Sequence, residues 1–433
     1  MAFNKSIAEE LRERLPSHID VNTFHSKGLR VLLSNFRIKP KINENKCFVI
    51  GKKILDTKDM DVKQQIRYLF EIQIIWNYIR VNLITDYEKE IPGICIEKNI
   101  EFQERMVGDM EQIRNAWHKE MKKINSVKEI NIDFTDMLYF PYQLLDSEDF
   151  PKYDIVTLDE QQDANTLQKE LALRYIKKSG RFVVVGDSRQ CIYGFQGSSL
   201  EVFKSLQSYP NTIVLPLDIT YRCGKNIVEE ARKVFNNGIV AAPNAIDGIV
   251  RKGEFDEAEN GDFILCRNNL PLATVFLYLL EMGKKATIKG KDYGDALVAL
   301  VDKIKHIEDL DAMCERKISE LKERGFTDIQ AKNNPSYVTL LEKCTILEML
   351  YKNWGDMKKL EDNIKEIYKD DTEGIVLSTI HKSKGLEADR VFLLNRSLIP
   401  SKYANTEEAL YNEKCLLFVA ITRARKELVY CNV

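Results

Sequence analysis

No apolar run in this sequence approaches the ~18 residues that a membrane-spanning helix needs, and the N-terminus turns polar and acidic within about ten residues. The sequence therefore predicts no membrane span and no signal peptide, and a cytoplasmic protein (nuclear in a eukaryotic setting). An excess of charge of one sign is also missing. With 64 Lys and Arg against 66 Asp and Glu, the net charge is -2, so no global basic field advertises nucleic-acid binding. Any such contact must be local, in a groove, and made partly by stacking. The nine cysteines contain no CxxC pair, and Cys266, Cys344 and Cys415 sit inside apolar runs. They read as small core residues in a reducing compartment, which excludes a disulfide frame and a zinc site. The five histidines show no HxH or HExxH spacing.

What is present begins with length. A chain of 433 residues exceeds one ordinary core and predicts two main domains with insertions. An apolar content of 44% with 30% charged residues describes a globular chain. The informative stretch is 153–198. Tyr153–Leu158 is a short Ile- and Val-rich run followed at once by DEQQD, Asp159 to Asp163. Arg181–Val185 repeats the plan, followed by Gly186, Asp187 and Gln190. A helical pattern over Leu167–Lys177 separates the runs, so the unit reads as βαβ with two buried parallel strands. Ligands of parallel α/β sheets bind beyond the carboxyl ends of the strands, where both polar clusters fall. An Asp there can hold Mg²⁺ and the Glu beside it can polarise a water for attack on phosphate. The alternative is that Asp159 and Glu160 only open a helix.

The wording of these clusters carries more. DEQQD and then GDSRQCIYGFQGS resemble two successive motifs of the UvrD/Rep-like superfamily 1 helicases, DExQD and GDxxQxIYxFRGA. FNKSIAEEL and NTFHSKG near the N-terminus are similar to two DNA-contacting motifs of the same family, closest in wording to its F-box DNA helicase branch. The stretch GIVLSTIHKSKGLEADRVFLL is nearly a full match to VxLxTxHxxKGLExxxVFL, and EKCLLFVAITRAR supplies the last motif. The resemblance implies an α/β fold of two RecA-like parallel-sheet core domains with small helical insertions. It implies ATP and Mg²⁺ as cofactors, single-stranded DNA and duplex junctions as partners, and DNA translocation or unwinding as the activity. In that reading Asp159 holds Mg²⁺, Glu160 prepares the water, and Gln190, Arg222 and Arg423 meet the γ-phosphate. Gly385 and Glu387 meet the sugar and phosphates. Phe3, Asn4, Thr23, His25, Tyr193, Phe195, Thr379 and His381 line the DNA. Gln196 stands where the family has Arg, and Thr220 where NYRS has Asn.

The remaining segments place these motifs. Met1–Leu15 reads as a strand tail entering a helix, with Ile7, Leu11 and Leu15 on one face. Ile19–Phe24 reads as a β-type run, and Thr212–Leu217 as a further strand leading to Arg222. Residues 35–133 carry helical spacing at Ile66, Leu69, Phe70 and Ile74 and read as an insertion, with Trp76 and Trp117 as core residues. The first core domain then comprises 1–34 and 134–216. The second comprises 217–300 and 372–433, with strand Gly261–Cys266, helix Leu270–Met282 and a charged helical insertion over 301–371.

One motif is absent. No stretch reads GxxxxGKS/T, the loop whose backbone N–H groups and Lys cradle phosphates. Gly51-Lys52-Lys53, Gly224-Lys225-Asn226 and Gly283-Lys284-Lys285 lack the leading glycine and the Ser or Thr. In the resembling family that loop lies one strand–loop–helix unit before the FNKS motif, with which this chain starts. The sequence thus predicts an N-terminally truncated helicase, its missing segment or a partner chain supplying the loop, and doubtful hydrolysis by this chain alone. A helicase-like protein that holds DNA or a partner without hydrolysis is the alternative.

Overall fold

Amphipathic helices build the first core, and a wide parallel sheet builds the second. The computed structural model describes residues 5–98, 100–193, 200–236, 238–323, 326–369 and 374–433. The chain divides into two compact units, Met1–Val214 and Leu215–Val433.

The first unit runs α1 (Lys5–Arg14), α2 (Phe24–Asn35), β1 (Lys39–Ile42), α3 (Lys46–Ile54), α4 (Val62–Asn82), α5 (Tyr87–Glu97) and α6 (Arg105–Lys122). It continues with β2 (Glu129–Ile132), α7 (Asp136–Leu144), β3 (Tyr153–Leu158), α8 (Thr166–Arg174), β4 (Ile176–Val184) and α9 (Leu200–Gln207). One hydrophobic core extends from Phe24 to Tyr175 and takes in α3 to α6. Trp76 and Trp117 are fully buried, with ring centroids 5.7 Å apart. Below them Arg80 donates to Asp133 and Asp136, and Lys46 to Asp136, so the charges buried there are mutually paired. Asp61 and Gln64 form a reciprocal cap that starts α4. Gly28 lets α2 lie against α7, since a Cβ there would come within 2.3 Å of the Met137 carbonyl oxygen.

β3 and β4 pair in parallel, Ile155 with Arg181 through Leu158 with Val184. Three sequence expectations need correction here. β4 begins at Ile176, so the predicted helix over Leu167–Lys177 ends earlier, at Arg174. Ile19–Phe24 is not a strand: Thr23 is the N-cap of α2, its hydroxyl accepting from Ser26 N at 3.2 Å. The β3–β4 pair is not buried on both faces either. Val156 and Leu158 point into the core, whereas Ile155 is 59% and Val183 42% exposed. A parallel sheet is ordinarily covered on both sides, and among the described residues this apolar face stays open.

In the second unit the order is β5 (Ile219–Thr220), α10 (Lys225–Arg232), β6 (Val240–Ala241), β7 (Ile249–Lys252), β8 (Phe263–Cys266), α11 (Asn269–Glu281), β9 (Ala286–Lys289) and α12 (Lys291–Val301). Then follow α13 (Asp309–Glu323), α14 (Asp328–Lys332), α15 (Pro335–Trp354), α16 (Met357–Ile367), β10 (Tyr368–Lys369), β11 (Ile375–Thr379), β12 (Ala388–Leu394), α17 (Glu407–Ile421) and β13 (Ala424–Cys431). Among the described residues seven strands form one parallel sheet, ordered β10-β9-β11-β8-β12-β13-β7. β8 and β11 are buried at every position, as their unbroken apolar runs require. The charged segment after Val301 does more than face solvent, because Leu310, Leu321, Cys344 and Leu347 join the same core.

Thr212–Leu217 is a fourth correction: residues 213–218 are irregular, and Leu217 is 83% exposed. A strand exists only as a partner in a ladder, and among the described residues none lies beside this segment. Every cysteine is a buried free thiol. No helix among the described residues is long and apolar enough to cross a membrane.

Candidate functional site

The polar cluster at the end of β3 is held by its own side chains. Val185 N donates to Leu158 O at 2.9 Å and Gln161 N to Val185 O at 3.1 Å, which carries the pairing just past the strand ends. Glu160 then turns through the left-handed region, φ 52 and ψ 42, a conformation that disfavours any residue with a Cβ. Gln162 bridges the two motifs. Its Nε2 donates to Glu160 Oε2, and its Oε1 accepts from Asp187 N at 3.0 Å. Gly186 makes room for that bridge, since a Cβ there would sit 2.6 Å from Gln162 Oε1. Asp187 in turn accepts from Gln190 Nε2 at 3.2 Å and from Arg189 Nε at 2.8 Å. Asp159, Glu160 and Gln190 thus belong to one cluster. Gln162, its organiser, was missed as a functional residue although it is the fourth letter of DEQQD.

Tyr193 lies beside this cluster. Burial, with Asp163 and Glu160 near its hydroxyl, pushes its phenol up to about 12, so the ring stays neutral. Thr23 and His25 open α2. Burial lowers the His25 pKa, and its ring meets Phe134 edge-on with centroids 6.4 Å apart. Phe134 is half exposed, and the sequence reading passed over it; an aromatic inside the polar stretch Asp133–Asp136 was the available signal. Lys27 lies one turn into the same helix, two residues after His25. Its ammonium is buried against Asp20 and Tyr153, 4.6 Å over the Tyr153 ring. Phe3, Asn4 and Phe195 lie outside the described residues.

In the second unit the predicted residues separate to opposite ends of the sheet. Thr379 closes β11 at its carboxyl end, paired in register with Cys266 of β8, and His381 follows. Burial above all, then the Arg267 guanidinium, drives the His381 imidazole down to about 4, so it is neutral at physiological pH. Arg267, the first residue beyond β8, grips Glu413 of α17 at 2.9 Å. A charge placed immediately after a buried strand was the overlooked signal for that pair. Glu387 sits instead at the amino end of β12. It pairs with Arg222 and, at 3.6 Å, with Arg425. Arg425 also reaches Asp389 at 2.8 Å, and Lys426 reaches it at 2.7 Å. Arg423 is only 1% exposed, donating to Val419 O at 3.1 Å and Leu386 O at 2.9 Å. It braces the loop from Ile380 to Glu387, which links the two ends and carries Gly385 at φ +86.

Each unit taken by itself carries single residues suited to part of a magnesium nucleotide. Asp159 suits a Mg²⁺ that keeps waters and phosphate oxygens in its other positions, and Arg222 suits a phosphoryl oxygen. Among the described residues no group of three or more His, Cys, Asp or Glu could enclose a metal, so Asp159 would share the ion with the ligand. A backbone cradle for the β- and γ-phosphates has no counterpart in the sequence.

Comparison with known proteins agrees with the site's wording. Residues 110–432 match the family described as UvrD-like helicase C-terminal domain, and residues 1–210 match the UvrD/REP helicase N-terminal domain. The chain is 26% identical to F-box DNA helicase protein 1 of Schizosaccharomyces pombe, over 69% of this chain and 37% of that protein. Identity to the probable DNA helicase II homolog of Mycoplasma genitalium is 22%, over 99% of this chain and 77% of that one. F-box DNA helicase 1 of Gallus gallus is 23% identical, over 99% of this chain and 44% of its own length. This chain therefore spans less than half of either F-box relative. With both halves of the motif set matched in order, the chain belongs to the UvrD-like helicase family.

Proposed function

We propose that the chain is the core of an ATP-dependent single-stranded DNA translocase or helicase acting at duplex junctions, and that its phosphate cradle comes from a strand–loop–helix unit outside these 433 residues. The observation that carries this reading is the uncovered β3–β4 face. Ile155 and Val183 are exposed on a parallel pair whose carboxyl end holds Asp159 and Glu160. An added parallel strand with its helix would bury that face and bring a loop to those carboxylates. Asp159 would hold Mg²⁺, and Glu160 would orient the attacking water. Gln190, Arg222 and Arg423 would meet the γ-phosphate, Arg423 after releasing its carbonyl partners. Gly385 and Glu387 would meet the nucleotide's sugar and phosphates. Thr23, His25, Phe134, Tyr193, Thr379 and His381 would track the DNA strand, together with Phe3, Asn4 and Phe195. The two core domains would comprise 1–34 with 134–216 and 217–300 with 372–433, and the helical segments 35–133 and 301–371 would be their insertions.

A second reading is a catalytically impaired relative that binds DNA or a partner protein. The absence of GxxxxGKS/T favours it. The two separate on one experiment, DNA-stimulated ATP hydrolysis with and without an added strand–loop–helix unit. Gain of hydrolysis supports the first reading; DNA binding without any gain supports the second.

A further inference from the structure

α3 and α4 leave a ridge of apolar side chains uncovered. Val62, Ile66, Phe70 and Ile74 recur at every fourth position of α4, exposed from 43% at Ile66 to 71% at Val62. The other side of the same helix, with Leu69, Ile72 and Trp76, is in the core. At this spacing the ridge runs along one face of the helix for about 18 Å. α3 extends it sideways. Val49 is 41% exposed, and the Phe48 ring lies against Phe70 with centroids 5.0 Å apart. Single exposed apolar residues are ordinary, but a continuous ridge on two packed helices marks a surface that something covers.

The charge at its rim tells what kind of partner fits. α3 contains no acidic residue and ends in exposed Lys52 and Lys53, while Lys63 is exposed at the start of α4. Three of the nearby acids have other duties. Glu71 is paired with Arg67 at 2.6 Å, Asp59 with Arg105 at 3.2 Å, and Asp61 caps α4. We propose that this face docks an amphipathic helix of a partner protein, apolar along one edge and flanked by Asp and Glu. Regular four-residue spacing suits a helix laid along the ridge. Nucleic acid fits less well, because most of the exposed side chains are aliphatic and offer bases no π face. A second copy fits less well too, because its own ridge is flanked by α3, which brings lysines and no acidic residue.

The test uses the full chain and two labelled peptides of about 20 residues, a length that matches the ridge as a helix with some overhang. Both carry Leu at helical three- and four-residue spacing, one flanked by Glu and the other by Lys. Fluorescence anisotropy should show the Glu peptide binding at least about tenfold tighter, with the gap narrowing as salt rises. Ile66→Ser with Phe70→Ser should weaken it about tenfold or more, and circular dichroism should show the helix content retained. Lys52→Glu with Lys53→Glu should reverse the ranking of the two peptides, a result that loss of folding could not produce. Equal affinity for both peptides overturns the proposal. An oligothymidine whose binding is lost in the Ile66→Ser, Phe70→Ser variant would reassign the face to nucleic acid. A dimer dispersed by that variant in sedimentation would reassign it to self-association.

Discussion

At the scale of single residues, the groups proposed to face DNA would work by contact rather than by charge. His381 is held neutral by burial beside Arg267, its imidazole falling from 6.5 to about 4. A neutral ring can hydrogen-bond a phosphate oxygen but displaces no counterion. The same shift acts on stability. The unfolded chain takes up this proton near pH 6.5 and the folded chain only near 4, so the stabilising difference is intact above about 6.5 and is lost as pH falls toward 4. The loss should be at most about 3 kcal/mol, and urea unfolding of His381→Gln should show a flatter acid limb between those values. Tyr193 is a different kind of group, a neutral ring beside Glu160 and Asp163. Tyr193→Ala should weaken single-stranded DNA binding by roughly 1–3 kcal/mol, the worth of one stacking contact. An anisotropy titration with unchanged affinity would remove Tyr193 from the DNA path. The letters of these residues were legible in the motifs, but their partners were not. That Arg222 lies against Glu387 while Arg423 turns inward to carbonyls depends on side-chain direction, which residue spacing along the chain does not determine.

At the scale of elements, the contrast is between a sheet with its neighbours and one without. β8 and β11 are buried at every position, each between two partner strands. Among the described residues β3 has one ladder partner, and its Ile155 is exposed. Amides of β3 and β4 should therefore exchange with solvent at least about a hundredfold faster than those of β8 and β11, because fewer buried contacts must break to open them. Equal protection by hydrogen-exchange mass spectrometry would mean that something not apparent from this chain covers the pair. The same contrast explains what was legible. Gly261–Cys266 reads as a strand, and Phe263–Cys266 is one, buried at every position, since an unbroken apolar run in a wide parallel sheet has one solution. Thr212–Leu217 is comparably apolar but contains Pro216, which cannot donate to a ladder, and it forms no strand; a β pattern in the sequence records fitness for a neighbour without supplying one. The first residues of β4, Ile176–Gly180, were missed for the opposite reason: their polar letters hide a backbone that pairs through Ile176. On α4 the helical period was read correctly. Which of its stripes faces the core was not, since both Leu69 and Phe70 are apolar and only packing separates them.

At the scale of the whole molecule, the groups suited to phosphoryl transfer outnumber the groups that could hold its substrate. Asp159, Glu160 and Gln190 form one linked cluster, and Arg222 reaches solvent beside Glu387. In the proposed function all of them would act on a γ-phosphate that something else must position. Phosphoryl transfer is catalysed almost wholly by positioning and charge stabilisation, so a missing cradle removes most of the rate even with every other group in place. The 433-residue chain alone should accordingly show little or no DNA-stimulated ATPase. Fusing or adding a strand–loop–helix unit that carries GxxxxGKS/T should restore it, and should lower the exposure of Ile155 and Val183 at the same time, since one insertion serves both. Glu160→Gln in the restored protein should abolish hydrolysis while leaving nucleotide affinity within about threefold, because in the proposed role that carboxylate prepares water and does not bind phosphate. Brisk DNA-dependent hydrolysis by the chain as it stands, itself lost in Glu160→Gln, would place the phosphate-binding groups within these residues and would leave the open β3–β4 face to some other partner.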